Sequence, residues 1–331
     1  MKDTFTYDLT VATVCRNALN FLPRCLASVR PLLSHPSLKV EHLLVDGAST
    51  DGTLEYLQQE LEAGNISRCV SEPDKGLYDA MNKAIALAAG KVIVFINADD
   101  EICPDTVPAC CEPILSGRAG YTVASAVFIS DAGEKLFAPC LKRTLWRQPY
   151  CHQSMYCSTE LLRQIGGFQW EQFRIGADTQ LMRRLYIARI PCEVVPGTAS
   201  RFYDGGVSST PAVISERYEL MLHFAGAYRD EVAAHPARIL TIIKHMRRYA
   251  VQKILTDNNP DLKQKDCERL SDFFRTVTEP LSSMRRVALY SQLLSISAFY
   301  KTMSLLSGGK NRSKYTVRKE ISQLFAKNLL N

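Results

Sequence analysis

Three groups of mostly polar residues follow three short hydrophobic stretches of the sequence, each at the point where the stretch ends. The three groups are Cys15, Arg16 and Asn17, then Asp46 and Gly47, then Asn97, Asp99 and Asp100. Carboxylates that meet at one place repel each other unless a cation lies between them. Mg²⁺ or Mn²⁺ prefers oxygen ligands and keeps positions open for phosphate. The groups therefore indicate a site for a divalent cation that carries a diphosphate, whereas one isolated aspartate would indicate only a helix or turn cap.

The hydrophobic stretches alternate with helical patterns, and this order predicts how the three groups meet. Strands are predicted at 9–15, 40–45 and 92–96, and helices at 22–33, 53–61 and 76–89. Strands and helices that alternate at this spacing predict an α/β fold, a mostly parallel sheet with helices on both faces. The carboxyl ends of parallel strands share one edge of the sheet, where ligands bind.

The remainder of the chain divides into a mixed part and a helical part. Between about 120 and 205, strands are predicted at 121–129 and 191–195, and a helix at 178–188. Beyond Gly205 and Gly206, helices are predicted at 214–230, 236–256, 265–277 and 283–306. We therefore predict two domains, 1–205 and 206–331.

The composition is that of a folded protein. Of 331 residues, 46% are hydrophobic and 22% charged, with 17 Gly and 15 Pro, which excludes disordered and collagen-like chains. The 11 cysteines include no Cys-x-x-Cys pair, so free thiols in a reducing cytosol fit better than a disulfide framework. We find no signal-peptide pattern and no run of about 18 apolar residues. We therefore expect a cytoplasmic protein without a transmembrane helix.

Four sequence blocks together carry a family resemblance. They are VATVCRNALNFLPRCLASV, LLVDGASTDGTLEYL, EPDKGLYDAMNKAI and GKVIVFINADD, in this order. Over roughly residues 8–205, they resemble the signature blocks of family 2 glycosyltransferases with the GT-A fold. The resemblance implies a Rossmann-like mixed sheet that binds nucleotides, with helices on both faces. It also implies an inverting transferase that takes a sugar from a nucleotide-sugar donor and uses Mg²⁺ or Mn²⁺.

The resemblance assigns donor-binding residues to the first three blocks. Asp46 would bind the nucleobase or ribose, and Thr13, at the end of the first strand, would line the same pocket. Asp74 and Lys75 match the block that reaches the nucleotide, although a solvated loop cation would also explain Lys75. The resemblance implies that Asp46 fits uridine best, and guanosine and thymidine donors remain alternatives.

The fourth block contains INADD, the counterpart of the DxD motif of the family. Asn97 stands where the first Asp of that motif often lies, so the sequence departs from the strict form. The resemblance implies that Asp99 contacts the ribose or a metal-bound water and that Asp100 ligates the metal directly. The residues leave open which of the two touches the ion.

Glycosyl transfer needs a base that takes the proton of the acceptor hydroxyl. The block IGGFQWEQFRIGADTQLMRRL resembles the family segment that supplies it, with Ala177–Asp178 where many members have Glu-Asp. We therefore predict that Asp178 is the catalytic base, at the start of a helix whose dipole favours the ionised carboxylate. The alternative is that Asp178 only caps this helix.

Three residues are predicted on the acceptor side. His152 and Gln153, in PYCHQSMY, match a His-Gln pair that recurs in the subgroup that this chain resembles. Trp170 could stack on a sugar ring, and burial in the core is the alternative. We assign all three to acceptor binding.

The positive charge lies in the C-terminal third. Residues 1–210 include 20 basic and 23 acidic residues, net −3, whereas 211–331 include 20 and 11, net +9. The stretch 285–331 has nine basic residues and one acidic residue, interleaved with apolar ones. This composition favours a basic helix on an anionic membrane surface, with an oligomer interface or a solvated face as alternatives. No nucleic-acid reader motif accompanies the charge, so we predict no nucleic-acid partner.

The predicted function is metal-dependent, inverting transfer of a hexose or N-acetylhexosamine in the assembly of a bacterial-type surface polysaccharide. The donor would be a nucleotide-diphosphate sugar, best fitted by a UDP-sugar, and the acceptor a glycan or a lipid-linked glycan. A sugar-phosphate nucleotidyltransferase is the second candidate, but its Gly- and Arg-rich N-terminal loop is absent. A non-catalytic nucleotide-sugar-binding subunit is the third, and the retention of Asp99, Asp100 and Asp178 argues against it.

Overall fold

The structure is a computed structural model that describes residues 5–145, 148–204, 212–256, 260–282, 285–286, 289, 316 and 319–323. The chain forms two compact units, Met1–Ser209 and Thr210–Asn331. The domain boundary predicted between 205 and 206 falls outside the described residues. Apart from a few single positions, so do the predicted helix at 283–306 and the basic stretch 285–331.

The first unit is built on one nine-stranded sheet. Its strands are β1 (Tyr7–Cys15), β2 (Val40–Asp46), β3 (Arg68–Ser71), β4 (Gly90–Phe95), β5 (Glu101–Ile102), β6 (Tyr121–Ser130), β7 (Gly133–Phe137), β8 (Met155–Ser158) and β9 (Cys192–Tyr203). They lie in the order β3-β2-β1-β4-β8-β6-β9-β5, and β7 pairs with β6. β1 to β4 run parallel, whereas β8 is antiparallel to both β4 and β6. The sheet is therefore mixed, and its parallel part is the one predicted from the alternation of strands and helices.

Helices cover this sheet. They are α1 (Leu22–Leu33), α2 (Thr53–Glu62), α3 (Leu77–Leu87), α4 (Val107–Leu115), α5 (Thr159–Gln164) and α6 (Ala177–Ile187). α1 has a proline in its first turn, where no backbone N–H is needed. α2 begins after Gly52, whose φ of 94° is a left-handed conformation that glycine adopts readily.

The register of the parallel strands brings the three polar groups to one edge. Cys15 at the end of β1 pairs with Asp46 at the end of β2, and Ala12 pairs with Phe95 near the end of β4. The Ile96 N–H, just after β4, donates to the Ala12 carbonyl at 3.0 Å. The chain segments that follow these strands therefore leave the sheet together, as the alternation predicts.

The core of the first unit lies on the face of β1 and β4 that α1 and α4 cover. Leu9 and Val11 of β1 and Val94 of β4 are completely buried and pack with Cys25 and Val29 of α1. Strands buried on both faces have continuous apolar sequences, which is why no polar alternation appears in β1 or β4. Burial of this surface provides the main stabilisation of the scaffold that holds the sheet edge.

The second unit is helical. Its helices are α7 (Ala212–His223), α8 (Ala225–Ala234), α9 (Ile239–Thr256) and α10 (Pro260–Thr278). We predicted one helix over 214–230, but the structure has two, because the chain leaves helical geometry at Phe224, two residues before Gly226. Tyr218, Tyr228 and Phe274 are completely buried and form part of its core. Within the described residues, no helix is both long and apolar enough to cross a membrane.

Candidate functional site

Asp46 ends β2 with its carboxylate completely buried. Its Oδ2 accepts hydrogen bonds from the Ser71 hydroxyl at 2.6 Å and from the Ser49 backbone N–H at 3.1 Å. Its Oδ1 accepts a hydrogen bond from the Ser49 hydroxyl. These neutral donors fix the direction of the carboxylate and hold the loop that follows β2 against β3.

Asp74 joins this carboxylate at the sheet edge by lying against Gly47. A Cβ on Gly47 would lie 2.1 Å from Asp74 Oδ2 and 3.3 Å from Cδ of Arg16, so no larger residue fits without moving Asp74. The other oxygen of Asp74 accepts the Gly76 N–H at 2.9 Å, just before α3 begins. The structure thus places Asp74 against Gly47, the residue that directly follows Asp46, and donor binding by both aspartates stays a prediction.

Lys75 and Trp170 face each other near the start of α3. The Lys75 ammonium lies 5.9 Å from the centroid of the Trp170 ring, at the outer limit of a cation–π contact. Trp170 is half-buried, in the loop between α5 and α6. α3 holds that loop at its two ends: Asn82 exchanges two 2.8 Å hydrogen bonds with Phe168, and the Tyr78 hydroxyl donates to the Ile175 carbonyl at 2.8 Å.

Asp99 and Asp100 follow β4 and differ in their surroundings. Asp100 is only 1% exposed, and its oxygens accept the Gln153 side-chain amide at 2.5 Å and the Tyr203 backbone N–H at 3.0 Å. Burial, together with the negative charge of Asp99, raises the pKa of Asp100 to about 6, although both hydrogen bonds act in the opposite direction. Asp99 is half-buried, and its backbone carbonyl accepts the Arg24 guanidinium at 2.5 Å.

The residues of this loop fit a divalent cation. Asp99 and Asp100 supply carboxylate oxygens, and the side-chain oxygen of Asn97 is buried without a hydrogen-bond partner among the described residues. Mg²⁺ and Mn²⁺ bind through one or two carboxylates when water and substrate phosphates complete their coordination. In the described part of the chain, no group of three or more His, Cys, Asp or Glu residues could enclose a metal alone. Any cation here would therefore take its remaining ligands from water and substrate phosphates.

Asp178 lies in the first turn of α6 and is 8% exposed. The Thr179 N–H donates to its Oδ1 at 2.6 Å, and Gln148 approaches its Oδ2 at 3.4 Å. Burial raises the pKa of Asp178, yet the net shift is downward. The hydrogen bond from His152 and its electrostatic attraction lower the pKa most, followed by the Thr179 N–H. The carboxylate is therefore ionised at neutral pH, as a base requires.

His152 and Gln153 belong to one 3₁₀ turn, His152–Ser154, but point to different carboxylates. The ring Nδ1 of His152 lies 3.5 Å from Oδ2 of Asp178. Gln153 is 1% exposed, and its amide is engaged at both ends, by Asp100 and by the Cys151 thiol at 2.6 Å. We predicted acceptor binding for Gln153, and the structure corrects this, because a buried amide with both ends paired cannot reach an acceptor.

Thr13 is the other predicted residue that does not reach the site. Its side chain is completely buried, and its hydroxyl lies 3.1 Å from Nε2 of His42 and 3.9 Å from the thiol of Cys25 on α1. The side chain therefore lies inside the layer between the sheet and α1, and not in a base pocket at the edge. Burial lowers the pKa of its partner His42 to about 3, so that imidazole is neutral.

The sequence alone did not identify several contacts of the site. Tyr78 lies inside the block EPDKGLYDAMNKAI and Ser71 directly before it, so their positions were a usable signal. Tyr203 was not identifiable, because its backbone N–H reaches Asp100 from 103 residues along the chain. Its ring also lies 3.6 Å from the Arg24 guanidinium, which forms a 3.1 Å ion pair with Glu101.

Two arginines of α6 have structural partners. Arg183 is buried and donates to the Thr144 carbonyl at 3.3 Å. Arg184 donates to the carbonyls of Gly167, at 2.8 Å, and of Ile165, just after α5. Both side chains therefore hold loops near Asp178.

Comparisons with known proteins agree with the architecture. The fold matches the crystal structure of residues 1–349 of Staphylococcus aureus TarS in complex with UDP-GlcNAc, with a TM-score of 0.60 at 14% sequence identity. The match covers 96% of this chain and 90% of that one. The chain therefore has the predicted GT-A fold, a mixed α/β sheet followed by C-terminal helices.

Sequence comparison identifies the family. Residues 10–167 match the family described as Glycosyl transferase family 2. An uncharacterized glycosyltransferase of Mycobacterium tuberculosis is 31% identical over 193 residues, which cover 56% of this chain and 71% of the relative. A PGL/p-HBAD biosynthesis glycosyltransferase of Mycobacterium bovis is 28% identical over 203 residues, which cover 59% and 76%. The chain belongs to glycosyl transferase family 2.

Proposed function

We propose that this glycosyltransferase transfers a hexose or N-acetylhexosamine, with inversion, from a UDP-sugar to a glycan or lipid-linked acceptor. The observation that carries the proposal is the ionised, nearly buried Asp178 carboxylate, which a single turn connects to the acidic loop after β4. A base and a cation-binding loop held at a fixed separation are what this reaction needs from the protein. The Glu101 and Arg24 pair beside that loop holds its backbone.

The donor would lie along the edge formed by β1, β2 and β4. Asp46, already oriented by Ser49 and Ser71, would face the nucleobase or ribose, and Asp74 would contribute beside it. Lys75 would leave the Trp170 ring to meet the diphosphate, because an ammonium gains more from a phosphate than from a ring at 5.9 Å. Asp99, the more exposed carboxylate of its loop, would face the ribose or a metal-bound water.

Asp100 and Asp99 would hold Mg²⁺ or Mn²⁺, with Asp100 as the direct ligand. The bound ion would neutralise charge on the departing nucleoside diphosphate. Gln153 and the Tyr203 N–H keep the Asp100 carboxylate oriented, and they cannot neutralise it, because both are uncharged donors. The protein alone therefore leaves net negative charge at this loop.

Asp178 would act as the base. The acceptor hydroxyl oxygen forms a bond to the anomeric carbon, and its proton passes to the Asp178 carboxylate. The bond between that carbon and the phosphate oxygen breaks, and its electron pair leaves with the nucleoside diphosphate. Asp178 then releases its proton to solvent, because the pKa of its carboxyl lies below the usual value.

The acceptor would approach beside Trp170. The loop that carries Trp170 leads into α6, whose first turn contains the proposed base Asp178. This ring is half-buried and lies on a loop pinned to α3, so it offers a flat surface at a fixed position. A relative's role in PGL/p-HBAD biosynthesis and the UDP-GlcNAc bound by TarS support a lipid-linked acceptor and a UDP donor. We extend the proposal to a peripheral location at the cytoplasmic face of a membrane, in surface polysaccharide assembly.

One assay separates the competing functions. The purified chain is incubated with UDP-glucose, UDP-galactose or UDP-N-acetylglucosamine, with Mn²⁺ or with chelator, and release of UDP and free sugar is followed. A transferase hydrolyses a donor slowly with Mn²⁺ and releases UDP. In a parallel reaction with UTP and a sugar 1-phosphate, a nucleotidyltransferase would release pyrophosphate, whereas a non-catalytic binding subunit would release nothing in either reaction. A thermal-shift screen of nucleoside diphosphates identifies the nucleobase of the donor, because ligands that bind the folded state raise the apparent stability.

A further inference from the structure

Two carboxylates of the site, Asp100 and Asp178, are contacted by one short turn. Within the 3₁₀ turn His152–Ser154, Gln153 donates to Asp100 at 2.5 Å, and the ring of His152 lies 3.5 Å from Asp178. Neighbouring residues thus connect the loop after β4 with the start of α6. This turn therefore contacts both the loop after β4 and the proposed base.

The His152 ring has one nitrogen in use. Its side chain is only 12% exposed, so little of the ring is open to an acceptor. Nδ1 faces an ionised carboxylate, so the proton of a neutral imidazole belongs on Nδ1. Nε2 is buried and has no hydrogen-bond partner among the described residues. His152 therefore interacts with the Asp178 carboxylate through its Nδ1–H.

The Asp178 carboxylate has three side-chain neighbours: His152 and Gln148 at Oδ2, and the Tyr78 hydroxyl, which also hydrogen-bonds to the carboxylate. Nδ1 of His152 lies 3.5 Å away and the Gln148 amide 3.4 Å away, whereas Oδ1 already accepts the Thr179 N–H at 2.6 Å. Contacts of this length are common before a substrate is bound and tighten in the productive complex. Oδ2 is thus the oxygen that His152 and Gln148 reach, and among the side chains His152 has the largest effect on the pKa of this carboxyl.

We propose that His152 is a positioning residue, whose Nδ1–H orients the Asp178 carboxylate towards the proton that it removes. The proposal replaces acceptor binding as the role of His152, and it rests on the proposed role of Asp178 as the base. His152 is proposed to touch no reacting atom, so we expect its loss to lower turnover through Asp178. A misdirected base loses rate without losing donor affinity.

Two amide substitutions separate the ring nitrogens. The side-chain nitrogen of His152→Asn can occupy the position of Nδ1, whereas that of His152→Gln reaches the position of Nε2. For Mn²⁺-dependent hydrolysis of the best UDP-sugar of the panel above, His152→Gln lowers kcat about tenfold or more. His152→Asn keeps at least about a third of the wild-type kcat, and the donor KM changes less than about twofold in both variants. His35→Asn, in the loop between α1 and β2, is the matched control.

A double-mutant cycle shows whether His152 acts through Asp178. In an Asp178→Asn background, His152→Gln lowers the residual kcat less than about twofold, because residues that act as a unit are not additive. A loss of about tenfold in that background overturns the proposal. So does an equal loss of kcat in His152→Asn and His152→Gln.

A binding measurement completes the test. Calorimetry of UDP with Mn²⁺ gives equal affinity for wild type and His152→Gln, within about twofold, because a positioning residue of the base does not hold the donor. Weaker binding in the variant overturns the proposal and places the ring in the donor site. Should Asp178→Asn by itself leave kcat unchanged, the proposed base is wrong, which is a different result from any of those above.

Discussion

The side-chain amide of Gln153 donates a 2.5 Å hydrogen bond to Oδ2 of Asp100, deep beneath the acidic loop that follows β4. The amide orients a buried carboxylate without neutralising it, and the pKa of about 6 that burial and Asp99 give to Asp100 reflects the uncompensated charge. A divalent cation with a diphosphate would supply that compensation. This relationship makes Asp100 the residue on which metal-dependent donor binding should depend.

We predict that Asp100→Asn removes the dependence of nucleotide binding on metal. The amide keeps the shape of the side chain but loses the charge that a cation needs. In calorimetry, Mn²⁺ should then no longer tighten UDP binding, a loss of at least about tenfold, or roughly 1.4 kcal/mol. Asp105→Asn, an exposed acid after β5, is the control and should bind as wild type does. Unchanged Mn²⁺ dependence in Asp100→Asn would contradict the assignment.

Asp178→Asn should leave donor binding intact and lower turnover by roughly 10²–10⁴, the usual contribution of a positioned general base. The amide still accepts the Thr179 N–H through its oxygen, so α6 keeps its first turn. The measurement is kcat for hydrolysis of the UDP-sugar, with UDP affinity measured in parallel. Asp272→Asn removes an exposed ion pair in the second unit and should change neither quantity. A fall of less than about tenfold would place the base elsewhere, with Glu171 as the next residue to test.

Gly47→Ala should weaken nucleotide binding although it adds only a methyl group. The new Cβ would lie 2.1 Å from Asp74 Oδ2, so the Asp74 carboxylate must leave its place at the sheet edge. We expect about a tenfold loss of UDP affinity, or roughly 1.4 kcal/mol, by calorimetry. Gly226→Ala is the matched control, since a Cβ there meets nothing within 4 Å, and Ala stabilises a helix by about 0.4–1 kcal/mol. Wild-type affinity in Gly47→Ala would show that Asp74 has no part in donor binding.

The basic C-terminal stretch should bind anionic membranes. Residues 285–331 carry nine basic residues against one acidic residue. Each Lys or Arg near an anionic surface contributes about 1 kcal/mol, so several together suffice for reversible attachment. Deletion of 285–331 should therefore abolish co-sedimentation with phosphatidylserine vesicles and leave donor hydrolysis in place.

A variant of unchanged length makes the membrane test independent of folding. Replacing Lys310, Arg312 and Lys314 with Gln removes three charges and should shift binding to lower salt, because screening strengthens as the Debye length shortens. Neutral phosphatidylcholine vesicles are the control surface. Equal pelleting with both lipids, or with neither, would mean that the charge serves an oligomer interface or solvent.

The sequence by itself determined the elements and the order of the chemistry along the chain. The predicted strand 9–15 is β1 within two residues, and the predicted helix 22–33 is α1 itself, because apolar periodicity and a proline in the first turn are local signals. Polar groups at the ends of the three predicted strands, which are β1, β2 and β4, also fixed which edge of the sheet carries the site. Parallel strands joined by short helices can place their carboxyl ends only together.

The tertiary structure decided which side chains reach that edge. Thr13 lies in a strand buried on both faces, where composition does not reveal the direction of a side chain, and it points to His42 and not to the site. Gln153 lies in the turn that directly precedes β8. Because β8 pairs antiparallel with β4, this turn lies beside the end of β4, where Gln153 contacts Asp100. Tyr203 reaches the same carboxylate from 103 residues away. Local sequence specifies the conformation of each segment, but contacts between distant segments depend on how the layers pack, and packing involves the whole fold at once.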